Sequence, residues 1–162
     1  MAALLATVLN NLSARLSDLG RREDALAIVE EAVALRRDLV VQYPNASRLD
    51  LAVSVSNLAA RLSELGRRED ALIVAQAAVA LYRELGDQVT NAFTPGRAAS
   101  LNNLAAILSD LGRHKDALTF SKQALILGRE LAAQNPDAFT PDLATSLNNV
   151  AVMLGDLGRR QD

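Results

Sequence analysis

Seven asparagines fall in two adjacent registers of this chain. Asn10, Asn102 and Asn148 share one, with Ser56 in the remaining copy, and Asn11, Asn57, Asn103 and Asn149 fill the other. Asparagine is a poor helix-interior residue because its side chain competes for nearby backbone groups. Its recurrence calls for an offsetting role. A carboxamide both donates and accepts, so a ladder of them can hydrogen-bond the backbone of an extended peptide whatever side chains that peptide carries. The internal alternative is that these groups bond one another, or a second helix, across neighbouring copies. Asn11, Asn57, Asn103 and Asn149 are the stronger ligand candidates, since their register is filled every time.

A row of carboxylates follows at Asp18, Glu64, Asp110 and Asp156. Each lies near the C-terminal end of a helical pattern, where a negative charge opposes the helix dipole. As a ligand surface, such a wall prefers a peptide carrying Lys or Arg. As internal structure, it pairs with the basic turns Arg21, Arg22, Arg67, Arg68, Arg113, Lys115, Arg159 and Arg160, and exposed pairs of that kind contribute little. Catalysis is not expected. There is no Gly-rich phosphate loop, no nucleophile elbow and no pair of metal ligands at helical spacing. The chain lacks cysteine and has one histidine, His114, in a turn where other copies carry arginine. A solvated surface histidine is the expectation there, with no metal and no cofactor. The formal net charge of −2 gives no global pull toward nucleic acid or an anionic membrane. The absence of tryptophan and the few aromatics, Phe93 among them, leave base stacking unsupported. No apolar run is long enough to span a bilayer.

The elements that carry these residues are repeated. Gly20, Gly66, Gly112 and Gly158 each follow a leucine and recur every 46 residues, and residues 10–26 differ from 56–72 at only three positions. Leu9, Leu12, Leu16 and Leu19, with the sets Val55, Leu58, Leu62, Leu65 and Leu101, Leu104, Leu108, Leu111, are spaced by threes and fours. Each set therefore stripes one face of a helix, here termed helix A. The glycine ends that helix in a left-handed conformation. A second helix, B, follows, with acids such as Glu23 and Asp24 first and Arg36 and Arg37 later, as the dipole favours. Thr94-Pro95 and Thr140-Pro141 read as N-cap and first helical residue of helix A. The variable segments 43–50, 90–97 and 135–142 then read as loops.

A helical hairpin with two apolar faces must stack on its neighbours. The positions Leu101, Leu104, Ala105, Leu108, Gly112, Ala117 and Ala124, and their counterparts 46 and 92 residues earlier, resemble the tetratricopeptide repeat. The 46-residue period exceeds the roughly 34 of the common form and is similar to the long repeats of the kinesin light chain, with its LNNLA helices, and of the near-identical arrays in large bacterial and fungal signalling proteins. The resemblance implies an all-α, right-handed superhelical solenoid of antiparallel helix pairs, seven helices in all. It also implies protein recognition, with a concave groove lined by helix A in which the asparagines clamp ligand backbone. One domain, 1–162, is expected, with units at about 4–46, 47–92 and 93–138 and a half unit at 139–162, as part of a longer cytoplasmic array. The last helix would expose Leu147, Val150, Leu154 and Leu157 and favour self-association. Two functions follow: a scaffold that binds an extended peptide, or a structural spacer and assembly element without one.

Overall fold

The computed structural model describes residues 1–86 and 94–158. Among them are seven α-helices: α1 (Ala2–Asp18), α2 (Arg22–Gln42), α3 (Pro44–Glu64), α4 (Arg68–Gly86), α5 (Thr94–Asp110), α6 (His114–Gln134) and α7 (Pro136–Asp156). The odd-numbered helices are the A helices and the even-numbered ones the B helices. Phe93, Arg159 and Arg160 lie outside the described residues, as do residues 90–93 of the second variable segment.

The other variable segments are not loops. Residues 44–50 form the first turns of α3, and 136–142 those of α7. A single residue, Tyr43 or Asn135, separates each from the helix before it. Proline explains both sides of the joint. It disfavours helical torsions in the residue ahead of it, and Tyr43 and Asn135 accordingly stand at φ −137° and −146°. It then supplies a pre-set φ at the first position of the next helix, where a missing N–H costs nothing. Asn135 also accepts a hydrogen bond from the Ala138 N–H at 3.3 Å. Thr140-Pro141 is therefore not a helix entry: Pro141 lies inside α7, and the Thr140 hydroxyl donates back to the Pro136 carbonyl at 2.6 Å. The exposure of this stretch lets the helix accept an internal proline. Thr94 and Pro95 do open α5, as its first two residues.

Each A helix ends as the glycines require. Gly20, Gly66, Gly112 and Gly158 have φ between 71° and 74°. In the first turn the Arg21 N–H reaches the Leu16 carbonyl and the Gly20 N–H the Ser17 carbonyl, both at 2.8 Å. This is the paired Schellman closure, which satisfies two carbonyls left over at the helix end. The same two bonds recur after α3 and α5.

The described residues form two compact units, Met1–Leu85 and Gly86 onward. In the first, Val33 of α2, Leu51 and Val55 of α3 and Ala78 of α4 make one apolar cluster, bordered by Val40, Leu58, Val74 and Leu81. Small residues at the crossings, such as Ala25, Ala32 and Ala71, are fully buried and let the helices approach closely. The second unit buries Leu101, Leu104 and Leu108 of α5 against α6, whose Ala117 and Ala124 have no exposure. The leucine stripe is narrower than its spacing suggests. Leu12 and Leu19 are exposed, the latter because it sits past the last turn as the C-cap. On α7, Leu147 is exposed as expected, whereas Leu154 is buried and Val150 and Leu157 are half-buried.

One helix B position breaks the repeat. Residues 36, 82 and 128 are equivalent, yet they are Arg, Tyr and Gly. Arg36 is only 4% exposed, and its guanidinium spans α1 and α3, at 2.7 Å from the Asp50 carboxylate and 2.7 Å from the Thr7 hydroxyl. Burying a guanidinium is costly, and these partners meet the cost at its two terminal nitrogens while Nε is buried without a hydrogen-bond partner among the described residues. Tyr82 is likewise buried. Burial pushes its phenol above the ordinary value, and a hydrogen bond with Ser56 offsets part of that.

Candidate peptide-binding face

The asparagines divide by partner rather than by register. In the first unit the Asn10 amide donates to the Ser54 hydroxyl at 2.7 Å, and Asn57 donates to the Asn10 carbonyl oxygen at 3.4 Å. In the second unit, Asn102 donates to Ser146 at 3.0 Å and Asn149 to Asn102 at 3.3 Å. Each set ties two consecutive A helices, α1 to α3 and α5 to α7. The serines, fully or almost fully buried, explain why hydroxyls recur there: a small acceptor at the contact lets the helices close while meeting the carboxamide. These bonds offset the low helix propensity of asparagine, and the serine that completes them escapes notice in the sequence because Ser54 and Ser146 look like ordinary helix-surface polar residues.

The tied asparagines remain only half-buried. Asn10 and Asn102 each keep one amide hydrogen and one oxygen lone pair for a further partner. Asn11, Asn103 and Asn148 are exposed, and their carboxamides have no partner among the described residues. The pairs α1–α3 and α5–α7 thus present fixed amides beside free ones.

Among the described residues, Asp18, Glu64 and Asp110 do not pair with the basic turns. Arg21, Arg67 and Arg113 turn instead to Asp24, Asp70 and Asp116, three residues ahead, at 2.7 to 2.8 Å. The recurring GRRED pattern, with its GRHKD variant, is therefore a local clasp over the start of helix B. Asp18 pairs within its own helix with Arg15 at 3.5 Å, and Glu64 pairs with Arg61 at 3.0 Å while accepting from Ser17 of α1. Asp110 has no partner among the described residues. His114 is half-buried rather than fully solvated, with Nδ1 3.6 Å from the Asp156 carboxylate. Among the described residues no three His, Cys, Asp or Glu gather closely enough to hold a metal ion, and no described helix is long and apolar enough to cross a membrane.

The second unit also holds a cavity of about 200 Å³ walled by α5, α6 and α7. Asn102 and Asn103, Thr145 and Ser146, Gly128 and Asp142 contribute to its lining. No sequence pattern flagged it, and Gly128 contributes no side chain to its α6 wall.

These are antiparallel helix pairs repeated along a chain, with small residues at the crossings and a glycine closing each A helix. The tetratricopeptide repeat family profile matches residues 5–42, 51–85 and 97–137, and the chain belongs to that family. Repeats of this family generally mediate protein–protein interaction. Among solved structures, the chain is similar to the crystal structure of BtubC (BKLC) from P. vanneervenii, with a TM-score of 0.80 at 20% identity over 99% of the present chain. The match spans 59% of the length of that protein, and at this identity it speaks for the fold. A comparison with curated protein sequences found no match.

Proposed function

We propose that this protein is an interaction module in which each unit by itself can hold an extended peptide segment of a protein partner along its A helices, α1 and α3 in the first unit, α5 and α7 in the second. The observation that carries this reading is the pairing of fixed with free carboxamides. Asn10 and Asn102 are oriented by bonds already made, while Asn11 and Asn103 stand beside them exposed and unbonded. Amides held in place before the ligand arrives lose less freedom when they grip it. Asp18, Glu64 and Asp110, all exposed, bias such a segment toward basic side chains.

Selection of the purified protein against a displayed random-peptide library tests the proposal, run beside the Asn11→Ala, Asn103→Ala double variant. Enriched peptides should lose at least about ten-fold in affinity for the variant, roughly 1.4 kcal/mol, while its melting temperature is unchanged. Peptides that bind both proteins equally, or no enrichment, would remove the carboxamide face as a ligand site.

Self-assembly is the second reading, and α1 favours it: Leu4, Leu5, Val8 and Leu12 are exposed along one side of that helix. Contiguous apolar surface of this kind marks association sites. A light-scattering mass of a single chain at high protein concentration would exclude it.

A further inference from the structure

We propose that the cavity between α5, α6 and α7 binds the guanidinium of an arginine side chain carried by the peptide, in the place that Arg36 fills from within in the first unit; this rests on the peptide-binding reading above.

The chain's own repeats carry the comparison from one unit to the other. Shifted by two periods, Arg36 becomes Gly128, Asp50 becomes Asp142, and Asn10 and Asn11 become Asn102 and Asn103. In the first unit the arginine is nearly buried, its fork held by the Asp50 carboxylate and the Thr7 hydroxyl. In the second unit the carboxylate persists but the arginine does not. Asp142 makes no ion pair or hydrogen bond among the described residues, and it is the one charged residue lining the cavity. It also sits in the same place as Asp50, at the seventh residue of a helix that begins with proline. The counterpart of Thr7 is Ala99, which has no hydroxyl, but Asn103 also lines the cavity with an unbonded carboxamide able to accept.

The cavity does not come from backbone crowding. A Cβ placed on Gly128 would meet Ser146 Oγ at 3.6 Å and Leu143 Cα at 3.7 Å, ordinary van der Waals distances. The α6 backbone therefore admits a side chain at that position, and this sequence leaves it out. What remains is a guanidinium receptor with its anion in place. Lysine fits it less well, since an ammonium is a point charge that cannot fork between a carboxylate and a carboxamide.

The test compares four versions of one selected peptide, with Arg, Lys, citrulline or Ala at its preferred basic position, together with arginine amide alone. Each is titrated against the intact protein, Asp142→Asn and Gly128→Arg. The arginine peptide should bind at least about ten-fold more tightly than the citrulline peptide, and that ratio should fall toward one in both variants. Gly128→Arg should also raise Tm by about 2–4 °C more than Gly128→Lys does, an excess that Asp142→Asn added to it removes. If Gly128→Arg fails to fold, the Asp142→Asn titration decides alone. Arginine and citrulline peptides that bind alike, or a ratio that survives in Asp142→Asn, would overturn the cavity assignment and leave the carboxamide face standing. Arginine amide binding as tightly as the peptide would overturn the peptide as the source of the guanidinium.

Discussion

The three-helix sets α1–α2–α3 and α5–α6–α7 use the same parts and finish them differently. Both bridge their A helices through an asparagine–serine–asparagine chain and close α1 or α5 on a left-handed glycine. They part at the buried site of helix B and at the hydroxyl facing it, Thr7 in the first set and Ala99 in the second. Arg36 fills its site and neutralises Asp50, whereas Gly128 leaves a cavity beside a free Asp142. The contrast teaches that a repeat scaffold can separate its own cohesion from its chemistry: backbone closure and interhelical amides stay constant while a single side chain decides whether a site is occupied or open.

The largest expected effect lies where the arginine is buried. Arg36→Ala should destabilise the protein by about 3 kcal/mol, because it leaves Asp50 without its cation and opens a void. Asp50→Asn should cost less, about 1 to 2 kcal/mol, since that carboxylate is partly exposed. Asp142→Asn, with nothing to lose, should fall within about 0.5 kcal/mol. Urea unfolding of the three variants checks the order, and equal losses for the two aspartates would erase the contrast between the units.

The glycines serve as the opposite control. Gly66→Val and Gly112→Val should each cost more than about 1 kcal/mol from the left-handed backbone, since a Cβ at either site meets nothing within 4 Å. Similar losses in both are expected by thermal unfolding. An unchanged Tm in either would mean that its turn relaxes to another conformation.

The smallest effect separates neighbouring asparagines. Asn102→Ala breaks two interhelical bonds and should cost about 1 kcal/mol, while Asn103→Ala should stay within about 0.5 kcal/mol. Matching stabilities would indicate that the bridge to Ser146 contributes nothing.

Much of this was legible in the residues. Leucines spaced by threes and fours, and glycines recurring at one interval, define the paired helices and their stops, because helical periodicity and a left-handed cap leave direct marks. The segments around Pro44 and Pro136 misled because proline, asparagine and serine signal a break, and here the break lasts a single residue. Asn10 and Asn102 were found as candidates, but their partners were not: a hydrogen bond between helices 44 residues apart leaves no local spacing to read. Arg36 looked like a charge placed to suit the helix dipole, and nothing in its neighbourhood announces burial. Its meaning appears only beside Tyr82 and Gly128.

The joints at Tyr43 and Asn135 have a mechanical side. One residue offers two soft torsions, and the proline after it removes much of the remaining slack. Neither α2 with α3 nor α6 with α7 has a hinge to swing on. Under tension, or when a ligand wedges between A helices, each such pair must yield by sliding its packed faces, a small shear shared by many contacts. Such a pair gives a stiff joint, whose resistance to bending is set by packing rather than by the connecting residue.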